Sequence, residues 1–229
     1  MPTVVRRAAA ELLGTAFLVA TVIGSGIAAQ QLSPRDVGLQ LLENSLATGA
    51  ILVAMVLALH PVSASFNPVV TLVERTMRRV TGPTAAALII AQIVGGSLGA
   101  VVANLMFDLD AVSISTHDRT TGGHLLGEVV ATLGLVIVVF GALRSPRIET
   151  VAFAVGGYIA AAYWFTSSTS FANPAVTIAR MFSDTFAGIA PASVPPFVLM
   201  QLVGGALGAG LVLVLQSPTV RQPIPEEMQ

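Results

Sequence analysis

Four residues of this chain stand out by type and setting. Asn67-Pro68 and Asn173-Pro174 are its two Asn-Pro pairs, and Glu11 and Glu128 are acids placed inside long apolar stretches. Asn is a preferred N-cap whose side-chain oxygen accepts a backbone N–H two or three residues on. Pro fits the first helical position, where its missing N–H costs nothing. Each pair therefore predicts the start of a short helix, with the Asn amide hydrogens left to donate elsewhere. A carboxylate inside an apolar span is costly unless it has partners. The chemistry on offer is the handling of polar groups in an apolar setting. His60, His117 and His124 form no cluster with metal-ligand spacing. His60 reads as a loop or cap residue at the end of its span. Ser25 lies between glycines, but no His occupies a neighbouring mid-span position, which argues against an intramembrane hydrolase. The absence of Cys excludes disulfides, thiol catalysis and Cys-based metal sites.

The elements that must position these residues are apolar. Of 229 residues, 54% are hydrophobic and 10% charged, and the mean hydropathy is +0.83. An ordinary soluble domain carries about 25% charged residues, so a soluble globular protein is excluded and a lipid-embedded one indicated. Eleven basic residues face twelve acidic ones, none of the basic residues is Lys, and no basic patch for nucleic acid is available. Six apolar segments lie at 7–30, 38–59, 83–107, 124–143, 149–165 and 195–216. Most are about 20 residues long, enough to cross the hydrocarbon as helices. The first is too long for a signal-peptide core and reads as a retained span. Segments 63–80 and 167–190 are too short or too polar to cross, and each holds an Asn-Pro pair. In a six-span layout Arg6, Arg7, Arg75, Arg78, Arg79, Arg144, Arg147 and Arg221 fall on one side, and Arg35, Arg119 and Arg180 on the other. That asymmetry predicts a multi-pass protein of the cell (inner) membrane with both termini cytoplasmic. Trp164, the one Trp, reads as an interface anchor.

The chain repeats itself. Gln92-Ile-Val-Gly-Gly-Ser-Leu-Gly-Ala100 matches Gln201-Leu-Val-Gly-Gly-Ala-Leu-Gly-Ala209 at seven of nine positions. Ser65-Phe-Asn-Pro-Val-Val-Thr71 is echoed in Phe171-Ala-Asn-Pro-Ala-Val-Thr177, and Glu11 with Thr15 in Glu128 with Thr132. The chain, a single membrane domain over 1–229, therefore divides into a first repeat, 1–107, and a second, 124–216. Each has three spans, so the second is inverted, an arrangement that sets a pathway at the interface near the bilayer midplane. The short helices would enter from opposite faces and bring their positive ends together there. Irregular backbone at that depth must be buried or line a water-filled cavity. Gly95 and Gly99, and Gly204 and Gly208, are spaced for close helix packing.

With Glu11-Leu-Leu-Gly-Thr15, Ser45-Leu-Ala-Thr-Gly49, the two Asn-Pro boxes and the paired Gln-x-Val-Gly-Gly-x-Leu-Gly-Ala segments, the chain resembles the major intrinsic proteins (aquaporins and aquaglyceroporins) over nearly its whole length. The resemblance implies an all-α membrane protein with six transmembrane helices and two re-entrant half-helices. It implies a pore in each subunit of a homotetramer in the lipid bilayer. It implies passive flow of water and small neutral solutes, with no enzymatic activity, cofactor, metal or nucleic-acid partner. The pore boxes would be Asn67, Pro68, Val69 and Asn173, Pro174, Ala175, the two Asn donating to permeating molecules. Glu11 and Glu128 would hold the re-entrant loops.

Departures from the family pattern bear on the solute. The first box reads Asn-Pro-Val, with Val69 in place of Ala. The filter positions would be Thr48, Ala161, Ser170 and Val176, and Val176 stands where the family places an Arg. Such a filter is expected to be wide, uncharged and without aromatic walls. It is similar to that of aquaglyceroporins linked to bacterial arsenic resistance. Glycerol-like polyols, arsenite and methylated arsenicals are the expected solutes beyond water. The alternatives are a mainly water-selective aquaporin and a secondary transporter, the latter needing a coupling-ion site. Arg180, one turn beyond Val176, is read as an interfacial side chain reaching to water or paired with Asp184, the alternative being a lining of the outer vestibule. Glu43 is divided between vestibule and helix contact.

Overall fold

The computed structural model describes residues 2–215. Arg221 and Gln216, used above, lie outside them. The helices run in the order α1 (Val4–Leu32), α2 (Val37–Leu59), α3 (Pro68–Thr76), α4 (Gly82–Met106), α5 (Gly122–Ala142), α6 (Ile148–Phe165), α7 (Pro174–Arg180) and α8 (Val194–Leu215). A 3-10 turn, Pro191–Ser193, leads into α8. No strand occurs among the described residues. Six of the helices are long and apolar enough to cross a membrane, each within a turn of the bounds the apolar segments predict. Four of them start on capping side chains: Thr3, Asp36, Thr81 and Thr121 each accept from a backbone N–H three residues on.

The distribution of side chains is that of a protein dissolved in lipid. Phe17, Leu46, Ile90, Leu126, Phe153 and Leu207 point outward and are exposed, whereas Glu11, Asn44, Gln92, Glu128 and Gln201 are buried. Each of these five polar side chains makes hydrogen bonds inside the bundle that the hydrocarbon could not supply. The basic residues Arg6, Arg7, Arg75, Arg78, Arg79, Arg144 and Arg147 gather at one end. The other end is roofed by residues 107–121 and 181–193 and is called here the roofed mouth.

Glycine decides how closely the spans approach. A Cβ on Gly95 would lie 2.2 Å from the Leu12 carbonyl oxygen, and one on Gly99 2.3 Å from that of Ala16. The second half repeats the contact, with Gly204 against Val129 and Gly208 against Leu133. The paired spans α1–α4 and α5–α8 thus meet backbone to backbone, which small residues permit in lipid. α3 and α7 enter between the pairs from opposite ends. At 1.5 Å per residue their nine and seven residues stack to about 24 Å, close to one helix crossing the hydrocarbon.

Candidate functional site

The two half-helices meet at their Asn residues. Asn67 is the N-cap of α3 and Asn173 of α7. The Asn67 side-chain oxygen accepts from the Val69 N–H at 2.9 Å. That of Asn173 accepts from Ala175 at 3.0 Å and Val176 at 3.3 Å. The amides cross over: Asn67 Nδ2 donates to the Ala172 carbonyl at 2.8 Å, and Asn173 Nδ2 to the Phe66 carbonyl at 2.7 Å. One amide hydrogen of each Asn is therefore engaged in locking the half-helices together. This modifies the sequence expectation that both are free. The second hydrogen of each remains for the cavity that both side chains line.

The carbonyls reach across because the residue before each Asn is left-handed. Phe66 has φ 47° and Ala172 φ 47°. Such a conformation is costly for a residue with a Cβ and persists only when its surroundings enforce it. The buried acids enforce it. Glu11 accepts from Ser63 Oγ at 2.6 Å and from the backbone N–H groups of Ser65 and Phe66 at 2.9 and 2.7 Å. Glu128 accepts from the backbone N–H groups of Phe171 and Ala172 at 3.0 and 2.9 Å. The repeated glutamines complete both networks. Gln92 Nε2 donates to Glu11 and to Thr71, and Gln201 Nε2 to Glu128 and to Thr177. The repeat made these glutamines visible in the sequence, but their partners lie on other helices and could not be read from spacing.

A cavity of about 80 Å³ runs past the paired Asn residues. Its polar lining comprises Thr48, Ser65, Asn67, Tyr163, Ser170 and Asn173, and no charged side chain lines it. Its walls are otherwise apolar, with Val22, Leu52, Val139, Ile159 and Val176 among them. Thr48, Ser170 and Val176 are thus brought together. Ala161 is not: it is exposed on the outer face of α6. The wall from α6 is instead Ile159 and Tyr163, and the Tyr163 hydroxyl lies 3.1 Å from Thr48 Oγ1. This corrects the expectation of a filter without aromatic walls. Ser170 Oγ is buried with no hydrogen-bond partner, a donor and acceptor open to a solute. Val69 is buried in α3, packed near Gly205 rather than lining the cavity.

A second cavity of about 180 Å³ lies at the roofed mouth, lined by Val37, Leu41, Asn44, Arg119, Thr169, Arg180 and Phe186. Arg180 does not snorkel and does not pair with Asp184. It is 2% exposed, its Nε donates to the Ala187 carbonyl, and its guanidinium stacks 3.5 Å from the Phe171 ring centroid. Asp184 instead accepts from Thr116 and faces His117 at 3.9 Å. The Thr116 backbone N–H holds the Asp184 carboxyl below its ordinary range. Glu43 accepts from Ser33 Oγ at 2.8 Å, a contact between the end of α1 and α2, and does not line this cavity. His60 is exposed at the end of α2. Trp164, half exposed, donates to Ser45.

The sequence matches the major intrinsic protein family over residues 1–150 and 143–227. It is 48% identical to aquaglyceroporin AqpS of Rhizobium meliloti, over 96% of each chain. It is 28% identical to aquaporin Z of Photorhabdus laumondii, over 92% of this chain and 97% of that one. The fold is similar to that of the aquaglyceroporin from Plasmodium falciparum, with a TM-score of 0.69 and 18% identity over 93% of this chain and 95% of that one. Two capped half-helices locked through crossed asparagines, six spans around them and these matches over the whole length agree on one conclusion: the chain is a member of the major intrinsic protein family.

Proposed function

We propose that this multi-pass membrane channel, whose family conducts water and small solutes, passes small neutral polyhydroxy solutes along with water. The observation that carries the reading is the uncharged lining of the cavity at the Asn pair, with Val176 where a cation is expected. A solute there meets a few hydroxyls and amides on an otherwise apolar wall. That environment suits molecules carrying two or three OH groups and no charge, because a charge entering it would lose its hydration without compensation. Glycerol and arsenite, an uncharged trihydroxide at neutral pH, share this chemistry, and methylated arsenicals extend it. The filter is assigned to Thr48, Tyr163, Ser170 and Val176, with Tyr163 taking the place given to Ala161 from the sequence.

The two inverted repeats, 1–107 and 124–216, form one channel domain, and four copies assemble with a pore in each. The arginines clustered at the end opposite the roofed mouth support cytoplasmic termini in an inner membrane. Tyr163 favours a second reading, a channel mainly for water, because its ring fills part of the filter. Light scattering on proteoliposomes shrunk by glycerol, arsenite or impermeant solute, with current recorded in parallel, decides between them. The proposal expects solute entry without current. Water flux alone supports the second reading. Saturating flux that follows an imposed proton or sodium gradient shows a secondary transporter and overturns both.

A further inference from the structure

Two guanidinium groups meet at the roofed mouth with no carboxylate in ion-pair contact among the described residues; Glu128 acts on both only at longer range. Arg119 comes from the connection before α5. Its Nε donates to the Gly188 carbonyl at 2.9 Å and its Nη2 to that of Phe186 at 3.4 Å. Its guanidinium lies 5.1 Å from the centroid of Phe171, the ring on which Arg180 stacks. Both side chains line the cavity of about 180 Å³. Among the described residues the one ion pair is His117–Asp184, so neither arginine has an acid within 4.0 Å. Asp118, next in the chain to Arg119, is turned to Thr120 and Ser193. Backbone carbonyls occupy the Nε of both arginines and orient them. Among the described residues, neither Nη of Arg180 and not the Nη1 of Arg119 meets a protein acceptor.

Two such charges repel each other and are costly to desolvate. Burial pulls the Arg119 guanidinium below its ordinary value. An anion between them would remove both costs, and guanidinium edges match the paired oxygens of a carboxylate or phosphate. Thr169 and Asn44 add polar groups to the same wall. We propose that the cavity between Arg119 and Arg180 is a binding site for a small oxyanion, a carboxylate or inorganic phosphate. It lies on the roofed-mouth side of the uncharged cavity, next to Thr48 and Ser170 along α2 and the loop before α7. There it concentrates anions at the mouth and repels cations from it. The inference does not depend on which neutral solute crosses the pore.

The test is calorimetric titration of the purified full-length protein in detergent with sodium formate and with sodium phosphate, sodium chloride serving as the reference salt. Saturable binding in about the millimolar range is expected for at least one of the oxyanions. Arg119→Gln should weaken it about tenfold or more, the loss of a charged hydrogen-bond donor, and Arg119→Lys by less. Because Arg119 also ties down residues 186 and 188, melting curves accompany each variant. Should Arg119→Gln not fold, Leu41→Glu takes its place. It leaves both arginines in position but adds a carboxylate to the cavity, and should abolish binding. No saturable binding by the unaltered protein overturns the proposal, as does undiminished binding by a folded variant.

Discussion

Glu128 sits fully buried and spends its two oxygens on donors that would otherwise be unpaired: the Phe171 and Ala172 N–H groups and the Gln201 amide. Glu128→Gln keeps the shape but replaces an acceptor oxygen by an NH₂ that faces other donors. A buried charged hydrogen bond lost in this way costs about 2–5 kcal/mol. The variant should melt markedly lower in detergent and lose flux together with the ordered half-helix, as thermal denaturation of the purified protein will show. Tyr163 predicts a different outcome. It is not needed to hold a backbone in place, and among the described residues its hydroxyl hydrogen-bonds only to Thr48. Tyr163→Ala should leave the protein folded and raise the ratio of polyol to water flux several-fold, since filter dimensions and donors set selectivity. An unchanged ratio in stopped-flow swelling would remove Tyr163 from the filter.

The helices owe their arrangement to close approaches that admit no side chain. Gly99 faces the Ala16 carbonyl oxygen, carbon and Cα, so an added Cβ meets backbone that cannot swing aside. Nothing lies within 4 Å of the position a Cβ would take on Gly210. Gly99→Val should therefore cost at least the 1–3 kcal/mol typical of overpacking, about that or more. Gly210→Ala should be neutral in the same melting assay. Equal effects would mean that the α1–α4 contact does not hold the bundle together. The spans themselves were legible in the sequence because hydropathy and length leave little choice in lipid. The failure at Ala161 has a geometric cause. Between Asn173 and α6 lies an irregular loop, so the register of α6 relative to the second box is not set by spacing. An offset of two residues on a helix turns a side chain by about 200°. Tyr163 faces inward and Ala161 outward for that reason.

Taken as a whole, the molecule places its few charges by function rather than at random. Among the described residues, seven arginines gather at one end, two acids clamp the half-helices, and Arg119 and Arg180 stand at the opposite mouth. The acids and asparagines could be found from the sequence because the repeat doubles each signal. Arg119 and Arg180 could not be joined, since 61 positions separate them in number and only the folded connections bring both onto Phe171. The roles of Gln92 and Gln201 were hidden for the same reason: their partners lie on other helices. What remains central is the uncharged stretch between the two mouths.

Val176→Arg tests that claim most directly. An arginine at this position narrows the cavity and puts a cation opposite Thr48 and Tyr163. Stopped-flow swelling of proteoliposomes with water and glycerol gradients should show glycerol flux falling about tenfold or more while water flux falls far less. Glycerol and water flux both unchanged would contradict the account, because position 176 would then not line the path that solutes take.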